Sequence, residues 1–144
     1  MKKVLLIDDD DLQKLLYTKL FRQFGMKIDT ASNKEALLLD WSTYSSVLVD
    51  IMMPGLSGNE LVQIIAKRIG AENMPHVILF SVLNTDRLNE LANELTLSGL
   101  SVGRQTKLAG DKTVMRDLVG KINEEFKDSN SRIARNAQTD AARA

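Results

Sequence analysis

The chain has 144 residues, of which 44% are hydrophobic and 26% charged, and its 19 basic residues balance its 19 acidic residues. This length fits one domain with a sizeable core, and the neutral balance argues against a nucleic-acid coat or a polybasic membrane binder. Because there is no cysteine and a single histidine, the composition excludes a disulfide framework, a thiolate metal site and a multi-histidine metal site.

Short apolar segments alternate along the chain with segments of helical spacing. Continuous apolar runs such as Val4–Ile7 are typical of strands that are buried on both faces. In chain order, the predicted elements are strand 4–7, helix 12–24, strand 26–31, helix 33–41, strand 47–49, helix 61–69, strand 76–80, helix 85–97, strand 100–107 and helix 111–126.

The helices are predicted from their apolar faces and their end signals. One face of the first helix carries Leu12, Leu15, Leu16, Leu20 and Phe24, and Gly25 ends it. Ser32 or Asn33 is the predicted N-cap of the second helix. The predicted inward face of the last helix consists of Val114, Met115, Leu118, Val119, Ile122 and Phe126.

Five strand–helix alternations predict an α/β fold, a doubly wound five-stranded parallel sheet with helices on both faces. We expect one domain over residues 1–127. After Phe126 the composition changes to polar and small residues. Residues 128–144 are therefore predicted to form a polar tail or linker, either disordered or an extension of the last helix.

No apolar run approaches the roughly 18–20 residues that a membrane-spanning helix needs. The apolar run behind Lys2 and Lys3 ends at Ile7, which is too short for the core of a signal peptide. We therefore expect a cytoplasmic protein that neither enters a membrane nor binds nucleic acid directly.

Polar side chains follow four of the five predicted strands. Asp8 and Asp9 follow the first strand, Asp50 the third and Ser81 the fourth, while Lys107 ends the fifth. Because sites in open parallel sheets lie at the carboxyl ends of the strands, we expect these groups to converge on one edge.

Such a group of side chains suits phosphoryl chemistry. Close carboxylates repel one another and favour a hard cation such as Mg²⁺, which prefers oxygen ligands. A central carboxylate can act as a nucleophile, and phosphoryl transfer needs mainly positioning and charge neutralisation. Taken singly, each residue has a plainer interpretation. Asp10 and Asp11 fit that plainer interpretation as helix-start acids that complement the helix dipole.

The segments that carry these groups resemble response-regulator receiver domains. Val47–Gly58, with the sequence VLVDIMMPGLSG, is similar to their phosphoacceptor segment, and Val4–Asp9 is similar to their first strand and acidic pair. Val77–Ser81 and Thr106–Lys107 are similar to their fourth and fifth strands, more weakly. The resemblance covers residues 2–126 and implies a flavodoxin-like fold with strand order 2-1-3-4-5.

The resemblance also implies roles for the matching positions. Asp50 would accept a phosphoryl group from a histidine kinase or a histidine phosphotransfer protein. Asp9 and Asp50 would ligate Mg²⁺, or Mn²⁺ in its place, together with the backbone carbonyl of Met52, and Asp8 would act through water.

Two further positions complete the switch that the resemblance implies. Ser81 would turn toward the phosphoryl group, and Lys107 would form an ion pair with it. The rearranged surface would be read by a downstream output protein or by an effector domain outside this sequence. Dimerisation through the face of the fourth and fifth helices is a further property of related domains.

The sequence departs from the family near the predicted lysine. Leu108 follows Lys107 where the family usually has proline, so a trans peptide bond is expected there. Arg104 stands where the family usually has an aromatic residue that reports the switch. We therefore expect the output to use Arg104, helix movement or another surface.

Three apolar residues around the predicted site also differ from the usual pattern. Val82 follows the hydroxyl residue in place of a smaller side chain and would narrow access to the acceptor. Met52 and Leu83 stand two residues after Asp50 and Ser81, and we expect them to hinder an attacking water. Our hypothesis is that this hindrance slows hydrolysis of the phosphoryl group and so lengthens the lifetime of the phosphorylated protein.

Two alternatives remain open at this point. Asp8-Asp9-Asp10 also satisfies the Asp-x-Asp pattern of haloacid-dehalogenase-type phosphatases, but no paired acids follow Ser81 as such an enzyme requires. The other alternative is a receiver-like binding module that works without phosphorylation. The departures from the family pattern at Arg104 and Leu108 favour it.

Overall fold

The protein is described by a computed structural model, which covers residues 3–81, 85–106, 119–120 and 122. Its strands are β1 (Lys3–Ile7), β2 (Lys27–Ala31), β3 (Ser46–Asp50), β4 (His76–Ser81) and β5 (Val102–Thr106). Its helices are α1 (Asp11–Gln23), α2 (Asn33–Ala36), α3 (Gly58–Ile69) and α4 (Thr85–Leu97). Short 3₁₀ turns lie at Trp41–Thr43 and Ala71–Asn73.

The five strands form one parallel sheet in the order β2-β1-β3-β4-β5. This confirms both the fold class and the strand order 2-1-3-4-5. Each predicted strand lies within two residues of its observed bounds, because short apolar runs between turn signals leave little freedom in register.

Hydrophobic side chains cover both faces of the sheet. Alternate residues of β1, β3 and β4 pack on one face against α2, α3 and α4. The other residues of the same strands pack against α1 on the opposite face, together with Val119 and Ile122. Burial on both faces explains why these strands read as continuous apolar runs.

The apolar face that the spacing assigns to α1 is not the one that packs. Tyr17 and Phe21 are the buried residues of this helix, and the Tyr17 ring meets Phe80 of β4 edge-on at 5.6 Å between centroids. Leu20 is partly buried, whereas four other members of the predicted face are exposed: Leu12, Leu15, Leu16 and Phe24. The two aromatic rings have more apolar area to bury, and they take the space on the sheet.

The second helix is shorter than predicted. Ser32 is its N-cap, in a capping box with Glu35, and the helix ends at Ala36. The chain then turns so that the buried Trp41 donates its indole N–H to the carbonyl of Ala36 at 2.9 Å. The predicted continuous helix over 33–41 is therefore wrong, because a straight helix would not return the Trp41 indole to this carbonyl.

The predicted last helix and tail fall mostly outside the described residues. Val119 and Ile122 are described, and both are buried as predicted. The domain boundary at residue 127 and the tail over 128–144 stay predictions. Within the described ranges, no helix is long and apolar enough to cross a bilayer.

Three polar side chains form a cluster beside the edge strand β2. The Tyr44 hydroxyl donates to Asp29 Oδ2 at 2.8 Å, and Lys3 Nζ lies 3.2 Å from the same oxygen. Burial, followed by this hydrogen bond and the Asp29 charge, raises the pKa of Tyr44 to about 12. The same hydrogen bond is the main cause that holds the pKa of Asp29 below its usual value.

We expect Tyr44→Phe to change how stability depends on pH. Because the folded-state pKa of Tyr44 is raised above its usual 10.0, its stabilising contribution is present below pH 10 and is lost as the pH rises toward about 12. The variant should be less stable at neutral pH by about 1 kcal/mol. Urea unfolding should show this difference shrinking across that window, and a pH-independent difference would contradict the assignment.

Candidate functional site

Two carboxylates lie at the ends of neighbouring strands. Ile7, the last residue of β1, is in register with Val49 of β3. Asp8 directly follows β1, and Asp50 is the last residue of β3. Neighbouring strands lie about 4.8 Å apart. The chain leaves β1 toward β2 on one side and later returns to β3 on the other, so this edge is the switch point where open sheets bind ligands.

Both carboxylates are buried and held by local backbone donors. Asp8 is 1% exposed and Asp50 is 7% exposed. Asp8 Oδ1 accepts from the N–H of Asp10 at 2.9 Å, and Asp50 Oδ1 accepts from the N–H of Met52 at 3.1 Å. These bonds fix the direction of each carboxylate at the edge of the sheet.

Asp10 and Asp11, the next acidic residues along the chain, serve the start of α1. Asp10 is the N-cap of α1, and its Oδ1 accepts from the N–H groups of Leu12 and Gln13. Asp11 lies in the first turn and pairs with Lys14 at 3.2 Å. The prediction that Asp10 and Asp11 are helix-start residues is confirmed.

Asp9 is turned toward α2. It is exposed, and its Oδ1 accepts from the backbone N–H of Asn33 at 3.2 Å. The buried Asn33 side chain in turn donates to the carbonyls of Pro54 and Leu56, in the loop after Asp50. Asn33 is one of the two predicted N-caps of α2, but Ser32 is the observed cap. The side-chain amide of Asn33 instead forms hydrogen bonds to the loop after β3. No local sequence signal marks them, since the partners are 21 and 23 residues away.

The other predicted site residues are described only in part. Ser81 ends β4, in register with Thr106 and one residue beyond Phe80, the register partner of Asp50. The Ser81 side chain, Lys107 and the residues 82–84 and 108 lie outside the described part of the structure. Met52 is 58% exposed beside Asp50, and Arg104 is exposed on β5.

Gly58 allows α3 to begin close to the end of β3. A Cβ atom there would overlap the backbone carbonyl oxygen of Asp50 and would lie 2.8 Å from Val49 Cγ1. The N–H of Gly58 donates to the carbonyl of Ile51 at 3.1 Å, which closes the loop after Asp50. Only a residue without a side chain fits at this approach.

The comparison with known families matches residues 4–99 to the response regulator receiver domain. The chain belongs to this family. Receiver domains are signalling modules rather than enzymes, so the phosphatase alternative is set aside. The matched residues include β1 with Asp8 and Asp9, and β3 with Asp50 and the loop to Gly58.

Several relatives of this receiver domain are known. It is 42% identical over 81 residues to the transcriptional regulatory protein CpxR homolog of Haemophilus influenzae, covering 55% of this chain and 34% of that protein. The chain thus spans about a third of that relative. It also resembles a Francisella response-regulator receiver domain, with 26% identity, a TM-score of 0.69, and coverage of 90% of this chain and 99% of the other.

A third relative is TrrA of Thermotoga maritima, whose structure is known in complex with Mg²⁺-BeF and with the histidine kinase ThkA. The Mg²⁺-BeF structure matches with 27% identity, a TM-score of 0.65, and coverage of 85% of this chain and 99% of TrrA. The kinase complex matches at the same identity with a TM-score of 0.66, covering 85% and 98%.

The donors in this receiver domain suit Mg²⁺. Asp8, Asp50 and the Met52 carbonyl offer oxygen ligands at one edge, and Mg²⁺ typically takes one or two carboxylates and keeps several waters. Among the described residues, no three His, Cys, Asp or Glu side chains stand close enough to form a metal cluster. Asp9, the other carboxylate predicted as a ligand, accepts the Asn33 backbone N–H through one of its oxygens, Oδ1. The predicted magnesium ligands therefore stay a prediction.

Gly58→Ala should destabilise this receiver domain by about 1–3 kcal/mol, since the methyl group must displace the Asp50 carbonyl. Urea unfolding measures the loss. Gly120→Ala is the matched control, because a Cβ there meets nothing within 4 Å. If the two variants lost equal stability, the close approach at Gly58 would not be the constraint.

Proposed function

We propose that this receiver domain accepts a phosphoryl group on Asp50 from a phosphohistidine, in a reaction that requires Mg²⁺ or Mn²⁺. The donor is a histidine kinase or a histidine phosphotransfer protein. The observation that carries the proposal is the placement of buried Asp50 beside buried Asp8, at the switch point of the sheet.

The proposed transfer is a single displacement. One carboxylate oxygen of Asp50 attacks the phosphorus atom, an O–P bond forms, and the N–P bond of phosphohistidine breaks. The imidazole nitrogen leaves with the electron pair and takes a proton from solvent. A divalent cation held at the candidate site would supply charge neutralisation for the phosphoryl oxygens.

The chain's own residues position this reaction. The Met52 N–H holds one oxygen of the Asp50 carboxylate and so fixes the direction of the nucleophile. Asp9, Asp50 and the Met52 carbonyl are the proposed metal ligands, and Asp8 acts through water. We assign Ser81, the last residue of β4, and Lys107, which follows Thr106 in the sequence, to hold two of the phosphoryl oxygens.

The relatives support the donor and the cation. TrrA binds Mg²⁺-BeF and a histidine kinase, at 27% identity over most of both chains. The phosphorylated domain would act on an output protein or on an effector domain outside this sequence, and dimerisation is one way to do so. We place it in the cytoplasm, without membrane or direct nucleic-acid contact.

The output surface is proposed to differ from that of most relatives. Arg104 is exposed on β5, at the position where the resemblance leads us to expect an aromatic ring. An arginine is almost never fully buried unless its permanent charge is paired, so it does not bury against a core as an aromatic ring does. We therefore assign the readout to Arg104 or to helix movement.

Acetyl phosphate with Mg²⁺ tests phosphorylation. The wild type should gain the mass of one phosphoryl group, and Asp50→Asn should gain none, because the amide is not a nucleophile here. Asp40→Asn is the matched control, since Asp40 caps the turn at Trp41–Thr43. A wild type that forms no adduct with any phosphoryl donor would instead support a phosphorylation-independent binding module.

The double variant Met52→Asn, Leu83→Glu should lose its phosphoryl group severalfold faster than the wild type, because polar side chains there can orient an attacking water. The decay of the phosphorylated mass over time measures the lifetime. The control is the double variant Ile64→Asn, Leu97→Glu, which introduces the same two polar side chains at exposed apolar positions on α3 and α4. An unchanged decay in the first double variant would overturn the hypothesis that apolar residues protect the phosphoryl group.

A further inference from the structure

One buried side chain connects the two loops that carry the candidate site. Asn33 is 6% exposed at the start of α2. Its backbone N–H donates to Asp9 Oδ1 at 3.2 Å, in the loop after β1. Its side-chain amide donates to the Pro54 carbonyl at 3.1 Å and to the Leu56 carbonyl at 3.0 Å, in the loop after β3.

These bonds use every hydrogen-bond donor that Asn33 has. An asparagine offers two side-chain N–H groups and one backbone N–H. All three point to acceptors in the two site loops, and none serves the helix that Asn33 begins. Ser32 and Glu35 cap α2 without it, through their reciprocal capping box.

The loop after Asp50 depends on such a tether. Two backbone bonds close it, from the N–H groups of Met53 and Gly58 to the carbonyl of Ile51. Pro54 has no N–H to add, and Gly55 lies in a bend of the loop with a φ of 81°. The Asn33 amide holds the two carbonyls on either side of that bend.

We propose that Asn33 is a positioning residue for the cation and phosphoryl site. This proposal rests on the proposed function. Asn33 sets the spacing between the loop that contains Asp9 and the loop Met52–Leu56 before a cation binds. A preformed spacing lowers the free energy needed to order the ligands on binding.

Asn33→Ala removes the amide but keeps the backbone N–H to Asp9. We expect its Mg²⁺ dissociation constant to rise about tenfold, at the lower end of the 10–100-fold loss seen for outer-shell partners. The amides of Met53 and Gly58 should exchange hydrogen faster, because their loop loses two bonds to α2. Asn33→Ser restores one donor and should recover part of the affinity.

The experiment is a Mg²⁺ titration of the full chain, followed through backbone amide shifts and paired with hydrogen exchange. Trp41→Phe is the control, because it deletes the indole bond to Ala36, the last residue of α2, and removes no hydrogen bond to either site loop. It should lower global stability and leave Mg²⁺ affinity near the wild-type value.

The outcomes separate this inference from the proposed function. If Asn33→Ala matches the wild type in Mg²⁺ affinity and loop exchange while the wild type is phosphorylated, only the positioning function is overturned. If Trp41→Phe loses affinity equally, the effect is one of global stability and the inference is again overturned. If Asn33→Ala behaves as expected but no donor phosphorylates Asp50, the proposed function fails and the positioning of the cation stands.

In the phosphorylation assay, Asn33→Ala should need a higher Mg²⁺ concentration for half-maximal rate. At saturating Mg²⁺ its rate should approach that of the wild type, because the nucleophile is held separately by the Met52 N–H. An equal loss of rate at all Mg²⁺ concentrations would contradict a function in positioning the cation ligands.

Discussion

The burial of two carboxylates side by side is the constraint on which the rest of this structure depends. Like charges on neighbouring carboxylates repel, and burial strengthens that repulsion because it lowers the local dielectric constant. Asp8 and Asp50 nevertheless lie at adjacent strand ends and are almost fully buried. Each carboxylate is held by a local backbone donor, the Asp10 N–H for Asp8 and the Met52 N–H for Asp50, and the cation of the proposed function would offset the repulsion that remains.

The surrounding elements are arranged to hold that pair. The parallel sheet brings the ends of β1 and β3 together, and Gly58 lets α3 begin against the Asp50 carbonyl. Asn33 then ties the loop after each strand to the start of α2. The candidate site is therefore formed by the loops after β1 and β3 together with Asn33, the first residue of α2.

The sheet and its acidic edge follow from the sequence, while the packing of the helices does not. Short apolar runs and the rule for strand ends are enough to place Asp8 and Asp50 together. In α1, however, Leu12 and Leu16 have helical spacing as regular as that of Tyr17 and Phe21. The face that packs is the one whose side chains bury more apolar area on the sheet, here the two aromatic rings. The side-chain bonds of Asn33 could not be predicted from the sequence either. Their acceptors are backbone carbonyls, which every residue has, so no residue type marks them.

Trp41 gives this domain a built-in optical reporter. It is the only tryptophan of the chain, it is fully buried, and its indole N–H is bonded to the last residue of α2. Any displacement of α2 that accompanies ligand binding changes the environment of a single emitter at one known place. The intrinsic fluorescence of the unlabelled protein therefore reports the position of α2, whose first residue bonds to the loops after β1 and β3.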